Sequence, residues 1–311
     1  MSFPKSQSLF WDRLKRFKEV ASSVISRNEN DKEIIRSEAI NFFVSLEEIL
    51  ENALSFTSWM LFSDHFSKTH FSYSFEDGLN IMVEKLNGAM FGDDEKLELN
   101  PKGKNTLFPL ITGFGILAKL CESVMIERDK YVKPFENLPH YSRNSELIEF
   151  PFRHNIHLLN VNLEDIQKII TLLKNTTIVL ETNQVCSIRN RIKHNRIDFP
   201  STEEIVSCCN SINDIINQLE IYGLYPSISN FKRKISDQYD RKISTYLDYR
   251  DREINIIRSG RYTPFTLPND TQFLIIVPAL HIGTTTEFLR FRIIEASPYM
   301  EVWKGHPAKR L

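Results

Sequence analysis

A mainly α-helical fold with a small C-terminal β appendage is what this sequence predicts, and three observations carry it. The 311 residues include only 10 Gly and 13 Pro, few of the punctuators that an all-β chain needs at its many turns. Apolar residues recur at three- and four-residue steps through most of the first 225 positions. After Gly260 the pattern changes to short runs rich in β-branched and aromatic residues.

Taken in order, residues 8–27 place Leu9, Phe10, Leu14, Phe17, Val20, Ala21 and Val24 on one helical face. A second helix is expected from Asp31 to about Phe62, with Ile35, Ala39, Phe42, Phe43, Leu46, Ile49, Leu50 and Leu54 as its stripe. Phe75 to Met90 reads as a shorter helix with Ser74 as N-cap, and 92–105, holding Pro101 and Gly103, as a loop. Leu107 to about Val132 returns to helix, with Gly113 and Gly115 as sites of a kink or of close packing. Residues 133–162, with Pro134, Pro139 and Pro151, form an irregular connection. One long helix is then expected from Leu163 to about His194, through Ile166, Ile169, Ile170, Leu173, Ile178, Val185 and Ile188. Pro200 breaks it, and Ser201 with Glu204 forms a capping-box pattern for a helix reaching Ile221. Residues 228–258 read as one more charged helix. Strands are expected at 271–277, 287–295 and 299–303. The division is therefore an α-helical body over 1–225 with motif helices at about 163–221, a charged helix or connector over 226–259, and a small β-rich appendage over 260–311.

Composition excludes several classes. A 41% hydrophobic content with 39 Lys+Arg against 40 Asp+Glu describes a globular chain, not a disordered, collagen-like or disulfide-stapled one. No apolar run approaches the roughly 18 residues of a membrane span, and the N-terminus lacks the apolar core of a signal peptide. Cys121, Cys186, Cys208 and Cys209 have no zinc-like spacing and read as free thiols in a cytoplasmic setting. Charge is uneven: 25 Lys+Arg against 31 Asp+Glu up to Tyr225, then 14 against 9. The basic C-terminal third leaves room for an anionic ligand, although solvated faces account for most such imbalances.

The informative segment is Cys186-Ser187-Ile188-Arg189-Asn190-Arg191-Ile192-Lys193-His194-Asn195-Arg196, four basic residues and a histidine with no acid among them. On a helix Val185, Ile188 and Ile192 share one stripe, while Arg189, Asn190 and His194 face away from it. Arginine offers a fixed fork of donors to phosphate oxygens, and histidine exchanges a proton near neutrality. Together they support attack by a ribose 2′-OH on its own phosphate without a metal or other cofactor. The same cluster is also what a helix macrodipole favours at a solvated C-terminal end with no ligand at all.

Arg189-Asn190-x3-His194 resembles the Arg-x4-6-His motif of the HEPN superfamily, in which a polar residue follows the arginine. With 19 Arg and 8 His in the chain, chance supplies roughly 0.5 Arg-x4-His pairs, and roughly 0.07 once Asn, Asp or His must follow the arginine. The resemblance covers about 160–220 closely and the preceding helices loosely. It implies a helical bundle with the motif at a helix end and a homodimer whose two motifs form one cleft. The implied activity is a metal-independent endoribonuclease, in a toxin or antiviral defence setting and under the control of a partner protein. It further implies that Arg189 and His194 are catalytic, that Asn190 supports them, and that Arg191, Lys193 and Arg196 hold the RNA backbone. The alternative is a non-catalytic HEPN-like module that binds RNA or protein and assembles a complex.

Weaker signals stand beside it. His154 and His157 could present two imidazoles to a metal, but no Cys or HExxH spacing supports this, and ordinary loop or packing residues are the simpler account. Cys186, next to the basic cluster, is either a thiol of lowered pKa or a packed one. Tyr239, Tyr246 and Tyr249 among Lys232, Arg233, Lys234, Arg241, Lys242, Arg250 and Arg252 either grip single-stranded RNA or face a core from an amphipathic helix. The sequence has no Gly-rich phosphate loop, no GxSxG elbow and no paired-carboxylate site.

Overall fold

The computed structural model describes residues 3–24, 29–63, 75–92, 95–132, 156–161, 163–194, 198–226, 228–238, 241–248, 250–251, 253–259, 272–282, 285–294 and 297–302. Within them the helices are α1 (Phe3–Ser23), α2 (Glu29–Phe62), α3 (Phe75–Leu86), α4 (Leu107–Ile126), α5 (Leu163–Thr182), α6 (Val185–Lys193) and α7 (Thr202–Ile221), with 3-10 turns at Arg128–Tyr131 and His157–Asn160. The chain is mainly helical, as its periodicity predicts. Ser74, the expected N-cap of α3, lies outside the described residues.

The body is organised around α2. Its N-terminal half is amphipathic, with Ile35, Ala39, Phe42 and Phe43 buried and α1 packed along it. Phe17 stacks on Phe42 at 5.2 Å, and Phe10 meets the same ring at 6.0 Å. From Ile49 to Phe62 every residue is buried, so the helix is enclosed on all sides and needs no polar face there. Helix α4 crosses it closely: a Cβ on Gly113 would sit 2.6 Å from Leu54 Cδ2, and one on Gly115 3.2 Å from Thr177 Oγ1 of α5. Both glycines therefore serve close packing. An 18-residue window of α4 has mean hydropathy 1.5, so this helix passes the length and composition test for a membrane span, against expectation. With 61% of that window buried, its apolar surface is taken up largely by α2 and α5.

The single helix expected over 163–194 is two. Gln184 has φ 51°, in the left-handed region, and this turns the chain between α5 and α6. Ile178, expected in the buried stripe, stands 56% exposed, because the buried face of α5 runs through Ile166, Ile169, Ile170, Leu173, Thr176 and Leu180 and position 178 falls away from it. Helix α7 begins as its sequence indicates: Glu204 N–H donates to Ser201 Oγ at 3.1 Å, and Ser201 N–H donates back to Glu204 Oε2 at 2.6 Å.

The segment expected as a charged helix is a set of strands. β1 (Met90–Phe91) and β2 (Glu95–Lys96) make a small hairpin, and β3 (Ile228–Ser236), β4 (Arg241–Leu247) and β5 (Glu253–Ser259) replace the predicted helix over 228–258. They join β6 (Gln272–Ile282), β7 (Thr285–Ile294) and β8 (Ser297–Val302) in one antiparallel sheet of order β5-β4-β3-β6-β7-β8. The sheet thus starts more than thirty residues before the expected appendage. Ile235, Ile243, Thr245, Ile254, Ile256 and Ile257 are β-branched, and their preference for a pleated surface outweighs the helix-like spacing of the charges. The loop after β4 supplies the turn: Arg250 N–H donates to Asp248 Oδ1 at 2.8 Å, and Asp251 takes φ 59°. β6 runs through Pro278, with its register to β7 irregular between Ile276 and His281.

The sheet is docked on the helices through that same loop. Arg250 lies 3.9 Å over the Trp11 ring and 3.6 Å from Glu220 Oε2, while Trp11 Nε1 donates to Glu220 Oε1 at 3.0 Å.

Farther along α2, the buried carboxylate of Glu51 organises the loop before α4. It accepts from Lys104 N–H at 3.1 Å, Asn105 N–H at 2.9 Å and Asn105 Nδ2 at 2.7 Å. Gly103 at φ 77° and Lys104 at φ 61° turn the chain there. Removing the acceptor leaves these donors unmet, so Glu51→Ala is expected to lower unfolding free energy by about 2–3 kcal/mol. Urea unfolding measures this, and an unchanged midpoint would show that the loop does not depend on the carboxylate.

Candidate functional site

Helix α6 carries the motif, and its geometry follows from three apolar residues. Val185, Ile188 and Ile192 are at most 3% exposed and seat the helix against the body, which turns Arg189, Lys193 and His194 outward as the helical spacing requires. The C-terminal end is tied down by α2: buried Arg36 donates from Nε to the Ile192 carbonyl at 3.1 Å, pairs with Glu33, and lies 5.8 Å from the Phe199 ring centroid. A guanidinium on the last carbonyls of a helix satisfies an orphan acceptor and opposes the negative end of the macrodipole.

Arg189 is partly buried, and two of its nitrogens are engaged. Nη1 donates to Asn190 Oδ1 at 3.0 Å, and Nη2 donates to Glu47 Oε1 of α2 at 3.2 Å. Beside this pair opens a small pocket of about 70 Å³ lined by Phe43, Val44, Glu47, Arg189, Ile192 and Lys193, among others. His194 is the C-cap of α6, exposed, with its N–H on the Asn190 carbonyl at 3.0 Å. Lys193 is exposed. Among the described residues neither the Lys193 ammonium nor the His194 ring has a hydrogen-bond or ion-pair partner, so both are open to a ligand.

The expected group of backbone-binding cations is thereby divided. Arg191 is engaged within the chain. It donates from Nε to the Asp198 carbonyl at 2.7 Å and from Nη1 and Nη2 to Glu204 at 2.7 and 3.3 Å. The Arg191 hydrogen bonds hold the Glu204 carboxyl below the usual carboxylate range, with the Ser201 backbone N–H adding to the effect. Arg191 therefore joins the end of α6 to the start of α7. Arg196 lies outside the described residues.

Two residues of this site, Glu47 and Arg36, are not flagged by the sequence pattern around the motif. One sign of them is visible: residues 39–62 hold Glu47, Glu48 and Glu51 and no Lys, Arg or His, so any counter-charge for these acids has to come from other elements.

The weaker sequence signals resolve differently. Burial pushes the Cys186 thiol up to about 11 in spite of the Arg189 charge, so it is a packed thiol rather than an activated one. Tyr246 is fully buried and meets Phe231 edge-on at 5.8 Å, from a strand and not a helix. Lys232 and Arg233 both pair with Glu253. Tyr239, Tyr249 and Arg252 lie outside the described residues, as does His154. His157 is 1% exposed in the core. No group of three or more His, Cys, Asp or Glu that could hold a metal occurs among the described residues. Compared with models of known protein families, with curated proteins and with solved structures, the chain matches none.

His157 has a measurable consequence. Burial lowers its pKa from 6.5 to about 4, so between those values the unfolded chain binds a proton that the folded chain does not. Stability is then complete above pH 6.5 and falls as the pH drops toward 4, by up to about 3 kcal/mol. Unfolding followed from pH 7 to 4 is expected to show a shallower loss in His157→Leu than in the unsubstituted protein. Parallel curves would show that the imidazole does not titrate between the two states.

Proposed function

We propose that this chain is a metal-independent endoribonuclease of HEPN type, acting through Arg189 and His194. The observation that carries the proposal is the disposition of α6. It brings together a partly buried guanidinium, held by its neighbours in the lining of a small pocket, and an exposed imidazole and an exposed ammonium at the end of the same helix. The helical body and the motif at a helix terminus support the reading as well.

In the proposed reaction His194 takes the proton of a ribose 2′-OH. The freed oxygen attacks the adjacent phosphorus, the bond from phosphorus to the 5′-oxygen breaks, and the leaving oxygen receives a proton. The products are a 2′,3′-cyclic phosphate and a 5′-OH. Arg189 stabilises the charge gathering on the phosphate oxygens, Asn190 keeps the guanidinium in place, and Lys193 holds the RNA backbone.

The motif supplies one imidazole per chain, which does not serve as both acid and base in a single passage, so the working unit proposed is a homodimer whose two α6 ends share a cleft. Ile40 and Val44, 51% and 53% exposed on α2 beside the pocket, give that interface apolar area next to the motif. The setting implied by the resemblance is cytoplasmic defence or toxin activity under the control of a partner protein.

Purified protein with a mixed RNA pool in EDTA is expected to cut, and His194→Ala to cut at least about 100-fold more slowly. The rate per chain is expected to fall on dilution below the dimer dissociation constant. Equal cutting by both proteins would remove His194 from the reaction. RNA binding with no cutting by either would favour the non-catalytic module.

A further inference from the structure

The contact between Glu47 and Arg189 joins residues 142 positions apart in the chain, from helices α2 and α6, beside a pocket whose α2 wall is otherwise the apolar Ala39, Ile40, Phe43 and Val44. Its cost and its placement bear on the site. Glu47 is 19% exposed and stands among Ala39, Ile40, Phe43 and Val44, where a carboxylate loses hydration that only a partner can return. An aliphatic residue at this position would pack the same wall without that cost.

The hold is selective in what it leaves free. A guanidinium has five N–H donors, and Asn190 and Glu47 engage one on each of Nη1 and Nη2. Rotation about the Cζ–Nε bond is thereby blocked from both sides, and the remaining donors keep one direction. The pocket lining also stays cationic, because Lys193 and Arg189 stand against the single acid Glu47.

We propose that Glu47 is a positioning residue for Arg189, fixing the guanidinium in the orientation in which its free donors receive an RNA phosphate. The proposal rests on the ribonuclease reading and adds to it a residue outside the motif. Without Glu47 the arginine keeps its charge but loses its fixed direction, and a flexible cation receives a phosphate less well than a pre-oriented fork. Glu47→Gln keeps an oxygen acceptor at the same place without the charge, whereas Glu47→Ala removes both.

The test uses two readouts on the full chain. The first is nitrogen-15 NMR of arginine side chains, with Arg189→Lys to assign the signals. Separate, slowly exchanging Nη1 and Nη2 resonances are expected for Arg189 in the unsubstituted protein and in Glu47→Gln, merging in Glu47→Ala. The second is cleavage in EDTA, where kcat is expected to fall about 10-fold in Glu47→Ala with KM little changed, and to recover most of that in Glu47→Gln. Unaltered Nη exchange in a folded Glu47→Ala overturns the proposal. So does faster cleavage or tighter RNA binding by that variant, which would make Glu47 a mask over Arg189. If the unsubstituted protein neither binds nor cuts RNA while the Nη signals merge as described, the ribonuclease reading falls. Glu47 is then an internal tie with no part in phosphate recognition, which overturns the proposal as well.

Discussion

The seating of α6 on α2 is the constraint on which the rest of the site depends. Helix α6 is nine residues long, too short to hold its shape by backbone bonding alone. Three buried aliphatic side chains press it against the body, Arg36 grips its last carbonyls, and Glu47 reaches across to Arg189. All of these partners except the aliphatics come from α2, whose own position is set by the aromatic contacts with α1 and by complete burial after Ile49. The same helix fixes the loop before α4 through Glu51 and, through Thr57 Oγ1, the carbonyl of Leu224 at the exit of α7. Displacing α2 would therefore move the motif before it disturbed any residue in it.

The charges around α6 divide into two kinds by what they touch. Arg191 and Arg36 are engaged by carboxylates and backbone carbonyls, and act as ties between helices. Lys193 and His194 project from the helix end into solvent. Arg189 stands between the two kinds, anchored by two acceptors while forming part of the pocket lining. Composition alone treats these residues as one basic cluster, whereas Arg191 is engaged within the chain and Lys193 and His194 are exposed. The sheet is linked to this arrangement at one remove, since Arg250 packs on Trp11 of α1 and Glu220 of α7 rather than on α6.

Much of the helical body is legible in the sequence because its signals are local. Apolar steps of three and four mark α1, α2, α4 and α7, and Ser201 with Glu204 marks a helix start within four residues. The outward turn of Arg189 and His194 follows from the positions of Ile188 and Ile192. What is not legible depends on distant or unusual contacts. The break at Gln184 uses a left-handed residue that is not glycine, which no breaker rule anticipates. The strands over 228–259 carry charges at spacings that suit a helix, and their β-branched residues outweigh that spacing once a pleated sheet is there to pack on. Arg191 looks free until the chain turns at Pro200 and brings Glu204 to it. Glu47 has no marker near the motif because its counter-ion comes from another helix.

The proposed attack by a ribose 2′-OH is tested directly by one substrate. An RNA oligonucleotide bearing a mapped cleavage site is remade with a single 2′-deoxy sugar on the 5′ side of the scissile phosphate, and both are incubated with the protein in EDTA. The account predicts that the ribose version is cut to a 2′,3′-cyclic phosphate and a 5′-OH, and that the deoxy version stays whole at that bond. Cleavage of the deoxy version at the same bond would contradict it, because the nucleophile would then have come from water and not from the sugar.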